Sequence, residues 1–269
     1  MQELKSKMLS ARPEPALPLS LSVSKVKTFK DCKAKYQYSY IEKLPRKEWD
    51  FHIFGKFLHE VLENFHKCII EGNTNRHNVI MTDVYKTASF NWKDKLTTDQ
   101  KTEAQEILKK YLVLLTKNNP KIISVEKEFY IDIAGTVLLN GFIDRVQIDD
   151  DDVLHVSDYK TTKHKKYLKN DFFQLMTYAF VMCLEDESIK RIRTSYIMLR
   201  HGFESIVKEY DRDEVMKMED VFLEYYKNII DEKLFRPSPS PMCKYCDAVD
   251  ICDAGKNQFG LAKYGATSW

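Results

Sequence analysis

Asp144, Asp158 and Lys160 are the residues whose types and spacing could do chemistry together. Asp144 lies in Gly141-Phe142-Ile143-Asp144-Arg145, inside an otherwise hydrophobic run, and Asp158-Tyr159-Lys160 lies in the next such run. Side chains alternate along an extended strand, so Asp158 and Lys160 share one face while Tyr159 points to the other. If the two runs pair as a hairpin, Asp144 approaches Asp158. Two adjacent carboxylates repel one another unless a cation stands between them, and Mg²⁺ or Mn²⁺ suits such oxygen ligands. An ion held there would polarise a phosphodiester and acidify a bound water. Lys160 would orient that water or stabilise charge developing on phosphorus. Taken alone, an Asp-x-Lys triplet is a weak signal, because a salt bridge on a half-exposed strand gives the same pattern.

Further residues belong to this set. His59 borders the apolar stripe of a helical segment, one turn beyond Gly55, whose missing side chain leaves room for an approaching group. A neutral imidazole at a cleft border can be a third metal ligand; a partly exposed histidine without a ligand is the alternative. His52 and His66 share that side of the helix and read as solvated. Gln174 and Tyr178 are four apart on the next helix, so they project from one face. Both need partners, either near Lys160 or within the core. Glu126 and Glu128, in the strand before Asp144, could contact a second metal or water but carry no firm assignment.

Cys243-x2-Cys246-x5-Cys252 is a tight cluster flanked by prolines, and Cys32 is the best fourth ligand. Cys68 and Cys183 fall within helical segments and read as core thiols. Four cysteines could hold zinc or an iron–sulfur cluster, and spacing does not choose between them. Either would join segments some two hundred positions apart and constrain the unfolded chain strongly.

The elements that must position these groups follow from pattern. Residues 1–18 hold three prolines and no period, and read as a flexible tail. A helix is expected from Ser22 or Ser24 to about Leu44, and another over 49–71, with Phe54, Leu58, Val61, Leu62 and Phe65 on one stripe. Two more are expected near 80–95 and 99–117. Strands follow at 122–133, 136–148 and 153–161, with Asp149–Asp152 as a solvated hairpin loop. An apolar helix over 171–184, a hairpin of 192–199 with 203–210, and a helix over 213–234 complete the chain. The order predicts an α/β or α+β core, a mixed sheet flanked by helices. We expect one domain over 19–269: a helical part at 50–120, the sheet and active site at 121–235, and a metal-stapled region of 20–45 plus 240–256.

Of the 269 residues, 43% are hydrophobic and 30% charged, which excludes a disordered chain. Lys and Arg number 42 against 40 acids, so the net charge of +2 does not itself mark a nucleic-acid binder. No secretory signal or stretch long enough for a bilayer span is evident, and an intracellular, cytoplasmic location without membrane contact is expected. Reduced cysteines fit that setting.

These residues resemble a known family. Ser22-Val23-Ser24-Lys25-Val26-Lys27-Thr28-Phe29-Lys30-Asp31-Cys32, followed by Tyr36, Tyr38 and Tyr40, resembles the N-terminal signature of RecB-like nucleases of the PD-(D/E)xK class. Gly55-Lys56-Phe57-Leu58-His59, Gly141–Asp144, Asp158-Tyr159-Lys160 and Gln174-x3-Tyr178 match its later motifs in order. The placement of the four cysteines resembles the iron–sulfur branch, which includes stand-alone CRISPR-associated exonucleases and the nuclease domain of AddB-type recombination enzymes.

The resemblance implies a restriction-endonuclease-like core and metal ligation by His59, Asp144, Asp158 and the Tyr159 carbonyl. It also implies Lys160 as catalytic lysine supported by Gln174 and Tyr178, and a 4Fe–4S cluster on Cys32, Cys243, Cys246 and Cys252. The departures are Asp158 where many relatives have Glu, and Lys33 where a proline usually follows the first cysteine. The expected activity is metal-dependent hydrolysis of DNA, exonucleolytic on single strands or ends. Tyr36, Tyr38 and Tyr40 could stack on bases, or pack the core. The rival reading is a DNA-binding adaptor in a recombination or CRISPR adaptation complex.

Overall fold

The computed structural model describes residues 18–72, 76–163 and 171–259. The expected tail therefore lies, apart from Pro18, outside the described residues. β1 (Leu19–Leu21) leads into α1 (Val23–Asp31), whose first turn is capped by the Ser22 hydroxyl accepting from Lys25 N–H. The expected long first helix is instead broken at Cys32, which is extended (φ −159°) and caps a short α2 (Lys33–Tyr36). A π-helical turn, Gln37–Ile41, follows. The break turns the Cys32 sulfur back to accept from Lys35 N–H, a geometry an unbroken helix does not permit.

Three helices come next: α3 (Asp50–Ile70), α4 (His77–Asn91) and α5 (Thr98–Asn118). α5 begins with a reciprocal cap between Thr97 and Gln100 and ends at Asn119, which takes the left-handed conformation ahead of Pro120. Then the period changes from helix to strand. β2 (Lys121–Ile133), β3 (Val137–Ile148) and β4 (Leu154–Lys160) run as an antiparallel meander. α6 (Phe173–Glu185) crosses to β5 (Arg191–Met198), parallel to β4. β6 (Glu204–Asp211) closes the hairpin. The last expected helix is divided at Lys217 into α7 (Arg212–Met216) and α8 (Met218–Asp231). A short 3-10 turn, Pro241–Tyr245, precedes α9 (Asp253–Phe259).

The six strands form one mixed sheet with helices on both faces, so the expected fold class is observed. On one face Leu139, Ile143, Val156 and Ile192 pack with Phe29 of α1, Phe180 of α6 and Phe222 of α8. On the other, Tyr159 and Ile197 meet Phe54, Leu58 and Phe65 of α3 and Leu108 and Tyr111 of α5. α6 is largely apolar and largely buried, as suits a crossover helix between parallel strands, and Gln174 and Tyr178 give it one polar face.

One edge of β3 is shared by two neighbours. β1 pairs with residues 137–139 and β4 with residues 145–148, which leaves 140–144 without a strand partner on that side. β3 and β4 thus fork at Asp144, and the fork places the active residues. Gly141 in the same stretch lets the buried Phe129 ring lie across the strand. A Cβ there would stand 2.8 Å from the ring tip. Gly141→Ala should cost about 1–3 kcal/mol by overpacking, read as a lowered urea midpoint; an unchanged midpoint would mean the ring moves aside.

His66, expected to be solvated, is fully buried. The α3 stripe faces α5, and the His66 ring hydrogen-bonds the Tyr111 hydroxyl there. Burial first, then the charge of Arg145, push its pKa from 6.5 down to about 3. The unfolded chain binds a proton below about 6.5 that the folded chain refuses until about 3. Stability is therefore full above about pH 6.5 and falls on acidification, by at most about 1.4 kcal/mol per pH unit from this group. Melting temperature followed from pH 7 to pH 5 should drop less steeply in His66→Asn than in the wild type.

Candidate active site

At the fork the Asp144 carboxylate takes the place of the missing strand partner. Its Oδ2 accepts the Tyr159 N–H at 2.8 Å. His59, on α3, reaches the same point: its Nδ1 lies 3.5 Å from Asp144 Oδ2 and 3.8 Å from Glu126 Oε1, while its Nε2 is 3.1 Å from the Tyr159 carbonyl. His59, Glu126 and Asp144 offer one ligand atom each, all within 4.8 Å of one another. Gly55, one turn before His59, stands where a Cβ would meet Thr161 Oγ1 at 3.1 Å, so α3 and the end of β4 close together there.

Asp158 and Lys160 share a face of β4 as alternation requires. Lys160 Nζ is 2.6 Å from Asp158 Oδ2 and donates to Gln174 Oε1 at 3.0 Å. Gln174 Nε2 in turn donates to Asp158 Oδ1 and to the Tyr178 hydroxyl at 2.8 Å. The i, i+4 pair on α6 therefore faces the lysine and its acid rather than being satisfied within the core. Lys160 also lies 4.9 Å over the Tyr196 ring. The ammonium is the ion-pair partner of the buried Asp158 Oδ2. Asp158 stands apart from the His59 group, tied to the lysine and glutamine.

The electrostatics fit a divalent ion. Burial first, and then the charge of Asp158, push the Asp144 carboxyl well above the usual carboxylate range. Burial lowers the His59 pKa, but the hydrogen bond to Glu126 and the charges of Asp144 and Asp158 outweigh it and hold the imidazole up at about 9. Protons are thus retained to offset crowded negative charge, a task a cation performs without them. Two acids and an imidazole, with the Asp158 carboxylate nearby, are a donor set suited to Mg²⁺ or Mn²⁺.

Glu126 is the site residue that the sequence did not single out. It stands in β2 between Val125 and Lys127, which pair with Arg145 and Ile143, and so lies across from Asp144. Its φ of +43° is a left-handed conformation unusual for a glutamate. That twist accompanies a carboxylate placed beside His59. Strand register, had it been known, would have pointed to it.

The cysteines gather as expected. Cys32, Cys243, Cys246 and Cys252 line a small cavity of about 20 Å³. Cys32 Sγ accepts backbone N–H groups from Lys35 and Ser238, both at 3.4 Å, and Cys243 Sγ accepts Ser240 N–H at 3.3 Å. Burial raises the Cys246 pKa, with Cys243 and Cys32 adding to it. Sulfurs that receive N–H donors and repel one another as thiolates fit a cationic metal centre. Cys183 is buried in α6 and Cys68 half-buried on α3, away from this group.

Two expected roles change. Tyr36 is buried against Phe29 and Phe235 (centroids 5.3 and 6.4 Å), so it packs the core and cannot stack on bases. The acidic run is not merely solvated: Asp149 and Asp151 bind Arg193 at 2.6 and 2.8 Å, and Asp149 also meets His155.

A mixed sheet between helical layers, carrying acids and a lysine on strands that fork, defines a nuclease-type core. A family model described as the PD-(D/E)XK nuclease superfamily matches residues 20–253, and the chain belongs to that superfamily. Over 160 residues it is 28% identical to an ATP-dependent helicase/deoxyribonuclease subunit of Streptococcus pyogenes serotype M6, covering 55% of this chain and 15% of that one. The counterpart from serotype M1 is 27% identical over 177 residues, covering 60% and 16%. The chain therefore spans a small part of the length of these relatives. A solved structure from Eubacterium rectale, described provisionally as an exonuclease, shares the fold at 11% identity, with a TM-score of 0.51 and coverage of 89% and 88%.

Proposed function

We propose that this chain is a divalent-metal-dependent DNA nuclease of the RecB-like kind, acting exonucleolytically on single strands or ends. The observation that carries the reading is the convergence of His59, Glu126 and Asp144 at the β3–β4 fork beside the Asp158–Lys160–Gln174 set. His59, Asp144 and Glu126 would hold the ion with the Tyr159 carbonyl beside them, and Asp158 would join through the carboxylate now held by Lys160; Mg²⁺ or Mn²⁺ so bound would polarise the scissile phosphate and acidify a water. Lys160 carries a fixed positive charge to the place where a phosphate oxygen becomes more negative. Gln174, accepting from Lys160 and donating to Asp158 and Tyr178, sets the direction of the ammonium. Buried Tyr178, whose hydroxyl pKa is pushed well up by that burial, stays protonated at neutral pH and a fixed partner for Gln174.

The reading extends to a 4Fe–4S cluster on Cys32, Cys243, Cys246 and Cys252. A tetrahedral zinc at about 2.3 Å from each sulfur would draw the sulfurs to about 3.8 Å of one another. What supports a metal centre there is the gathering of all four cysteines around one small cavity; iron and acid-labile sulfide against zinc in the purified protein decides which centre it is. We place residues 19–269 in one nuclease domain stapled at 20–45 and 240–256. It would work in the cytoplasm with recombination or CRISPR adaptation partners; no described helix is long and apolar enough to cross a membrane.

The test is cleavage of linear DNA labelled at either end, beside a circular single strand, with Mn²⁺ or Mg²⁺. Loss of label from linear DNA alone is expected and gives the polarity. Cutting of the circle would replace exonuclease by endonuclease action. DNA binding without cleavage by cluster-loaded protein would leave the adaptor reading.

A further inference from the structure

A second cavity, of about 590 Å³, opens on the sheet face opposite Asp158 and Lys160, between the C-terminal end of α5 and the turns after β3 and β5. Register brings Arg145, Ser157 and Ser195 side by side on adjacent strands, with Gln147, His155 and Arg193 one pair further along. A sheet face under a helix is ordinarily apolar. Here its floor is polar and buried: Arg145 is 7% exposed, Ser157 1% and Ser195 0%. None of the residues proposed for nuclease chemistry lines the cavity.

Arg145 is the unbalanced group on this floor. An arginine keeps its charge when buried, so it needs an anion. Its Nη2 donates to the neutral Gln147 amide, its Nη1 lies 3.5 Å from the Tyr111 hydroxyl, and the Tyr159 hydroxyl is a further neutral partner. Its Nε has no hydrogen-bond partner. Among the described residues no carboxylate pairs with it; the nearest route to one is through Gln147, whose Nε2 donates to Asp149. Asp149 and Asp151 at the mouth are already held by Arg193, which also binds Glu209.

The wall above that floor is aromatic. Phe203 sits at φ +63°, a left-handed conformation rare for a bulky residue, and its ring meets Tyr111 at 5.2 Å. Strain of that kind costs of order 1–3 kcal/mol and gathers at sites that hold ligands. Leu114, Leu115, Ile148 and Ile197 extend the apolar surface. The volume falls within the range of small-ligand pockets.

We propose that this cavity is a second ligand site, separate from the metal site, for a nucleoside monophosphate, with its base against Phe203 and its phosphate toward Arg145. The site does not depend on the nuclease reading. Calorimetric titration of the full chain in EDTA tests it, with deoxyadenosine monophosphate, inorganic phosphate and deoxyadenosine as probes. The nucleotide should bind at one site, with phosphate and nucleoside each at least about tenfold weaker. Phe203→Ala at the rim should weaken the nucleotide at least about fivefold and leave phosphate binding unchanged. Arg145→Gln, folded by circular dichroism, should lose both. Absence of nucleotide binding at millimolar concentration, or full affinity retained in Phe203→Ala, would overturn the proposal.

Discussion

Lys160→Ala lowers DNA cleavage by about 10²–10³-fold or more, the range for removing one preorganised charge from a phosphoryl or acyl transition state, while Mn²⁺ binding is retained. The asymmetry follows from geometry. Lys160 carries no ligand atom for a cation; it is attached to the site through Asp158 and Gln174. Removing it deletes a charge that acts when the phosphate grows more negative, so the loss falls on kcat rather than on KM. Its removal also frees Asp158 from its only ion-pair partner among the described residues, which strengthens rather than weakens the attraction for a divalent ion. Single-turnover cleavage and Mn²⁺ titration, done on the same preparation, check both halves. Loss of Mn²⁺ binding along with cleavage would show that the lysine holds the site together; retained cleavage would remove it from the chemistry.

If the proposed cluster is held there, Cys32→Ser should release iron and sulfide and lower stability by about 3–5 kcal/mol, the expectation for losing a cross-link that closes a loop of some two hundred residues. Cys32 is where the proposed staple would enter the N-terminal segment: it breaks α1 from α2, caps α2 through its sulfur and receives Ser238 N–H from the far end of the chain. Serine preserves the capping role, since its hydroxyl accepts the same N–H, but is a poor ligand for iron. The loss is thereby assigned to the metal centre rather than to the cap. Urea unfolding with iron and acid-labile sulfide analysis of anaerobically prepared protein reads it. Cys183→Ser in α6 should leave iron content unchanged. Zinc without iron in the wild type would replace the cluster by a single-metal staple.

Much of this architecture was legible as pattern. The α3 stripe, the three-strand meander and the turn at His201-Gly202 follow from period and turn chemistry, and they recur in the fold within a residue or two. The Asp158–Lys160 pairing on one face and the Gln174–Tyr178 pair on one helix are local geometry, which alternation and helical periodicity fix. What escaped was set by long-range packing. His66 reads as a polar residue on a helix, yet α5 supplies Tyr111 and buries it. Glu126 reads as one of several strand acids until register places it across from Asp144. The break at Cys32 has no helix-breaking residue to announce it; a tertiary hydrogen bond from Ser238 N–H to its sulfur accompanies it. β1 is three residues long, too short for a period, yet with β4 it makes the fork that admits Asp144.

The central claim is that the forked strands hold a metal-dependent hydrolytic site. The most direct measurement is single-turnover cleavage of end-labelled single-stranded DNA across a Mn²⁺ titration, with Asp144→Asn and Asp158→Ala alongside. A metal-dependent site gives no cleavage in EDTA, a saturable rise with Mn²⁺ in the wild type, and none in either variant. Cleavage that persists in EDTA, or in both variants, would contradict it.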